Sequence, residues 1–201
     1  MPQKRAKQIG TGGTVLTPLH RRLVNQVLDS GRLSYGPFLR KFERQFARLH
    51  GRRFAVTANS GTSALQVALA ALKELDGWKD GEEVLVPAIT FIATSNVVIQ
   101  NGLKPVFVDI DPKTYHINPG NLSKHLTRRT RAIMPVHLFG LSADMRAIMA
   151  FARRHRLRVI EDSCETVGVA HRGKPVGSAG DIACYSTYVA HIASTGVGGV
   201  A

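Results

Sequence analysis

Apolar residues recur at helical spacing over 19–28 (Leu23, Val27) and again over 38–49 (Phe38, Phe42, Phe46, Leu49). The break from Gly31 to Pro37 separates them, so the pattern predicts two amphipathic helices. Beyond residue 53 the pattern changes. Short apolar runs at 54–58, 83–87, 104–109, 132–136 and 157–160 have the length and content of strands. Helical stretches at 64–75 and 143–154 lie between them, and the turn Asp109-Ile110-Asp111-Pro112 leads to a further helix capped at or near Asn118. Strands and helices that alternate at this spacing form βαβ units. The expected fold class is therefore α/β, three-layered, with a mostly parallel central sheet and helices on both faces.

Residues 180–199 begin as an apolar run, end it on the hydroxyl residues Ser186 and Thr187, and pass through a turn into Gly196-Val197-Gly198-Gly199. A buried strand followed by such a turn delivers side chains to a pocket, and His191 is the most reactive member of the stretch. Asn59-Ser60-Gly61-Thr62-Ser63 sits where a strand gives way to a helix. Free amides, hydroxyls and the positive end of a helix dipole suit a phosphate there, although the same turn serves as an ordinary N-cap. Glu161-Asp162 follows the run 157–160, and ligands of open α/β sheets gather at the carboxyl ends of strands. Phe91, in the turn after 83–87, reads equally well as a core ring.

Composition narrows the picture. The 201 residues are 44% hydrophobic and 20% charged, enough to bury one sizeable core as a single soluble domain. No apolar run reaches the roughly 18 residues of a membrane span and the N-terminus has no apolar signal core, which places the chain in the cytoplasm and off the membrane. The formal charge of +13 would ordinarily suggest nucleic acid, but residues 1–53 hold 12 of the 27 Lys and Arg and only 2 of the 14 Asp and Glu. The basic excess is local. Residues 1–18 read as a basic, then Gly- and Thr-rich, irregular arm ended by Pro18, and no aromatic interleaving accompanies the charge, so no nucleic-acid partner is expected. Cys164 and Cys184 lie in apolar stretches without CxxC spacing and read as buried thiols, and Asp109 and Asp111 lack a third nearby ligand for a metal.

The ordered motifs carry a resemblance. Ser60-Gly61-Thr62-Ser63-Ala64-Leu65, Phe91, Asp162 and Ser186 with the position five residues later together resemble the DegT/DnrJ-type sugar aminotransferases, pyridoxal phosphate (PLP) enzymes of fold type I. The resemblance covers nearly all of residues 19–201, which match the N-terminal part of the family's cofactor-binding large domain. It implies that Gly61, Thr62, Ser63 and Ser186 hold the cofactor phosphate, that Phe91 stacks on the pyridine ring, and that Asp162 keeps its nitrogen protonated. Glu165 falls near the ring hydroxyl, where the family usually carries Gln or His. His137, in Val136-His137-Leu138-Phe139-Gly140, reads as a structural, hydrogen-bonded histidine.

His191 occupies the position of the family's Schiff-base lysine. An imidazole cannot form the stable imine that a lysine amine forms, but it moves protons near neutral pH. The same exchange marks the 4-keto-6-deoxyhexose 3-dehydratases, which hold the aminated cofactor (PMP) without a covalent bond, and the chain resembles that branch. The implied catalytic residue is His191, and the implied substrate is a nucleotide-linked sugar. The resemblance further implies a homodimer and a reductase partner for the dehydrated intermediate; an iron–sulfur cluster enters only if the chain continues past Ala201. Two alternatives stay open, an aminotransferase using another lysine, of which Lys174 in a polar surface turn is the one nearby, and a non-catalytic homologue. Two features depart from the family: Val197 stands in its usual Gly-Glu-Gly-Gly, and members continue for about as many residues again into a small C-terminal domain absent here.

Overall fold

The computed structural model describes residues 15–201; most of the expected basic arm, residues 1–14, lies outside them. Pro18, expected to end the arm, is the first residue of helix α1 (Pro18–Asp29), capped by the Thr17 hydroxyl, which accepts from the His20 amide. Its fixed φ suits that position. Helix α2 (Pro37–Leu49) follows and buries Phe46 and Ala47.

From there strands and helices alternate: β1 (Thr57–Ala58), α3 (Gly61–Asp76), β2 (Glu83–Pro87), α4 (Ala93–Gln100), β3 (Lys104–Val108), α5 (Leu122–His125), β4 (Thr130–Ile133), α6 (Met145–His155) and β5 (Arg158–Asp162). A small hairpin, β6 (Ala170–His171) and β7 (Lys174–Pro175), precedes β8 (Ile182–Ser186) and β9 (Gly199–Val200). The seven-stranded sheet has the order β1-β9-β8-β5-β4-β2-β3. Its five central and right-hand strands, β8 to β3, are parallel, whereas β9 runs antiparallel to both β8 and β1. The α/β expectation, with a mostly parallel sheet, is what the chain adopts.

Strand alternation builds two cores. Val84, Val86, Ala132, Met134 and Ile160 face one side, against Leu65, Leu69 and Leu72 of α3 and Val97 and Val98 of α4. Leu85, Ile133 and Val159 face the other, against Leu122 of α5 and Ile148 and Ala152 of α6. On that second side, Phe46 of α2 packs on Ala183 and Tyr185 of β8 and on Val200.

Several boundaries differ from expectation for identifiable reasons. The strand expected over 54–58 is reduced to Thr57–Ala58, because Phe54 and Val56 are exposed and only Val56 exchanges backbone hydrogen bonds, with Ala201. Near Asn118 the helix is a single 3-10 turn, Pro119–Asn121, and the four-residue α5; the Asn118 side chain accepts from the Gly120 amide as a cap. The turn expected after 83–87 gives way at residue 93 to helix α4, for which the pattern held no prediction. Cys184 is buried as expected, but Cys164 is only half-buried, and both thiols are free. No described helix is long and apolar enough to cross a membrane.

Chain order runs from β2 outward to β3, then returns past β2 to β4. Connections therefore diverge in opposite directions at the carboxyl ends of β2 and β4, the place where open α/β sheets leave a crevice.

Candidate active site

A cavity of about 420 Å³ opens at that crevice. Ser60, Gly61 and Thr62 from the start of α3 line it, with Phe91 and Ala93 after β2, Val136 and Leu138 after β4, and Asp162, Cys164 and Glu165 at the end of β5. Ser186, Tyr188, Ala190 and His191, from the end of β8 and the turn beyond it, complete the wall. Segments far apart in sequence thus place nearly every predicted site residue in one concavity, of a size that suits a cofactor.

Ser60 caps α3: its hydroxyl accepts from the Ser63 amide at 3.1 Å and donates to the Ser63 hydroxyl at 3.1 Å. Ser63 is thereby engaged in the cap and, unlike the other predicted site residues, is not among those that line the cavity. The amides of Gly61 and Thr62 have no acceptor within the helix and stand at its positive end. Gly61 is buried against β8, where an added Cβ would lie 2.8 Å from both the Ser186 Cβ and the Cys164 Sγ. At Gly199 an added Cβ would lie 2.6 Å from the Gly61 nitrogen. Any side chain at either position would displace the helix end, so the two glycines let a cradle of backbone close around its start.

The Ser186 hydroxyl accepts from the Tyr188 amide at 3.3 Å, and the His191 amide donates to the Tyr188 carbonyl at 2.9 Å. This turn carries His191, half-buried, to the cavity, its ring centroid 6.4 Å from that of Tyr188. Among the described residues no lysine lines the cavity. Lys174 lies in the exposed β6–β7 hairpin, as its polar surroundings suggested.

Phe91 is 71% exposed, which excludes the core-ring reading; its side chain stands at the cavity mouth. Asp162 is buried. Its Oδ2 accepts from the Thr94 hydroxyl at 2.9 Å and its Oδ1 from the Cys164 amide at 3.3 Å. Burial pushes its pKa above the usual carboxylate value, and the hydrogen bonds from Cys164 and Thr94 oppose that rise. Glu165 borders the cavity but accepts from the Phe139 amide, bracing the turn in which Phe139 takes a positive φ of 57°.

His137 is fully buried. Its Nδ1 accepts from the Ala143 amide at 3.1 Å, so Nε2 carries the proton and donates to Glu161 Oε2 at 2.9 Å, the structural role read from the sequence. Sequence reasoning missed Thr94, Tyr188 and Cys164. The Thr90/Thr94 spacing of four beside a strand end was a usable signal for the first, and the second position after Ser186 for the next; nothing marked Cys164. Among the described residues no cluster of three or more His, Cys, Asp or Glu is arranged to hold a metal ion.

Comparison with known proteins gives this geometry a context. The sequence profile of the DegT/DnrJ/EryC1/StrS aminotransferase family matches residues 16–201. The chain belongs to this family. It is 46% identical over 167 residues to GDP-perosamine synthase of Caulobacter vibrioides, covering 83% of this chain and 44% of that protein. The structure of E. coli GDP-4-keto-6-deoxy-D-mannose-3-dehydratase with bound hydrated PLP superposes with a TM-score of 0.88 at 30% identity, over 94% of this chain and 49% of that one. That of NtdA from Bacillus subtilis with bound PMP gives 0.82 at 34% identity, over 90% and 40%. The family thus holds both aminotransferases and dehydratases, and these two solved structures carry PLP or PMP. The chain spans about half the length of the relatives it matches.

Proposed function

We propose that the chain is the cofactor-binding part of a PMP-dependent dehydratase that removes the 3-hydroxyl of a nucleotide-linked 4-keto-6-deoxyhexose. The observation that carries the reading is that His191, and no lysine, stands in the cavity beside Ser186. Among the described residues no amine lines the cavity to form a covalent link to the cofactor, whereas an imidazole can both take and return a proton. PMP, when bound, supplies an amine to condense with the sugar ketone and a cationic ring as electron sink.

The residues present fit such a group. The Gly61 and Thr62 amides, with the Thr62 and Ser186 hydroxyls, would receive its phosphate at the start of α3, which β8 and β9 approach this closely only because Gly61 and Gly199 carry no Cβ. Phe91 would cover one face of the ring and exclude water from it. Asp162 would accept the ring N–H, and Glu165 would border the ring hydroxyl. His191 would remove a proton from the bound amine's carbon and, as imidazolium, donate that proton to the departing hydroxyl. The sites of sugar recognition, a homodimeric assembly, a reductase partner and a cytoplasmic location belong to the same proposal.

A second reading has one observation in its favour: GDP-perosamine synthase, at 46% identity, is a nearer relative than the dehydratase at 30%. Mass spectrometry of a nucleotide 4-keto-6-deoxyhexose incubated with PMP, glutamate and the full-length protein separates the two. Loss of the 3-hydroxyl upholds the dehydratase, and its disappearance in His191→Lys assigns the proton transfer. Gain of an amine by the wild-type protein overturns the dehydratase in favour of transamination, and an unchanged sugar overturns both.

A further inference from the structure

Asp162 can serve a cationic ring only if it is ionised and correctly turned, and its burial opposes the first. Two residues oppose that cost, Cys164 and Thr94. Thr94, itself fully buried, donates to Asp162 Oδ2 at 2.9 Å. Since the Thr94 proton goes to the carboxylate, its oxygen is free to accept, and the Thr90 hydroxyl lies 2.8 Å away in position to donate. The chain Thr90 to Thr94 to Asp162 therefore has a direction. It presents a donor to Oδ2, while the Cys164 amide donates to Oδ1 at 3.3 Å. The same turn fixes the ring face, because the Thr94 amide donates to the Phe91 carbonyl at 3.1 Å.

We propose that Thr94 is the positioning residue of this site: relayed from Thr90, its hydroxyl sets the rotamer and the negative charge of Asp162 and registers that carboxylate against Phe91. The use of this arrangement toward a ring nitrogen rests on the PMP reading above; the hold on Asp162 does not. The other titratable groups that face Asp162 are His137 after β4, Cys164 after β5 and Cys184 on β8, with Glu165 and His191 across the cavity. His137 is a neutral donor to Glu161, and burial keeps both thiols protonated, so the Cys164 thiol also favours the charged form; the Thr94 hydroxyl does so from full hydrogen-bond distance, 2.9 Å.

Carbon-13 NMR of labelled aspartate in the protein without cofactor tests this. Thr94→Val, nearly isosteric, should raise the pH midpoint of the Asp162 carboxyl, Thr94→Ser should restore it, and Thr90→Val should move it less, in the same direction. Equilibrium dialysis against PMP should show about tenfold weaker binding by Thr94→Val than by wild type, the loss of one hydrogen bond to a charged group. An unmoved midpoint in Thr94→Val, with its fold intact by circular dichroism, overturns the proposal, as does a Thr94→Ser variant that shifts as far as the valine. If wild type binds no PMP while the midpoint still moves, the hold of Thr94 stands and the cofactor reading falls.

Discussion

Two neighbouring carboxylates on one strand end, Glu161 and Asp162, have opposite surroundings. The alternation of β5 turns Glu161 toward the face covered by α6 and Asp162 toward the cavity. Glu161 is saturated: Arg52 donates at 3.3 Å, the Ala179 and Gly180 amides at 2.8 and 2.6 Å, and His137 at 2.9 Å. Burial alone would raise its pKa, but the bonds from His137 and Gly180 with the charge of Arg52 carry it below the usual value. Asp162 keeps fewer and longer bonds, and burial prevails. Full satisfaction makes one acid a structural pin; incomplete satisfaction leaves the other able to accept a ligand.

Removing the pin should have the largest effect. Glu161→Ala leaves the Arg52 guanidinium, the His137 ring and two amides without their acceptor, and urea unfolding should register a loss of about 3–5 kcal/mol. Asp162→Asn should behave in the opposite way. With the cost of a buried charge removed, stability should change by less than about 1 kcal/mol, while PMP binding by dialysis falls at least about tenfold. A large stability loss in Asp162→Asn would erase the contrast between the two acids.

The smallest effect lies in the pH dependence, and its sign differs between the pair. The folded pKa of Asp162 lies above its ordinary 3.8, so the native state binds the extra proton, and this group lowers stability as pH rises from 3.8 through its folded value. Glu161 lies below its ordinary 4.5, so its contribution is complete above that pH and is lost as pH falls through the folded value. Unfolding of wild type and Asp162→Asn between pH 3 and 7 should therefore diverge with rising pH, in favour of the asparagine.

The sequence made one acid visible and hid the other. Asp162 was found by its order between the Gly61 turn and Ser186, a relation that local pattern carries. Glu161 stood beside it with no role to read, because its partner Arg52 comes from the segment after α2 and His137 from the segment after β4, and no spacing links them. The same division holds for the fold. The strand 83–87 was legible to the residue since all five positions are buried, whereas β9 consists of Gly199 and Val200 and exists only because β1 and β8 flank it. Ser63 stands apart from the other predicted site residues for a local reason: Ser60 bonds its amide and hydroxyl to finish the helix.

The close approach of Gly199 to Gly61 bears on how the protein comes to be made. This contact joins the start of α3 to a strand from the far end of the described chain, so a cradle at the helix end closes only with one of the longest loops that folding must form. A nascent chain emerging from the ribosome can build β2 to β5 and their helices early, yet has no cradle until residue 199 is available. Any cofactor that depends on that cradle would be captured only after synthesis has passed this point.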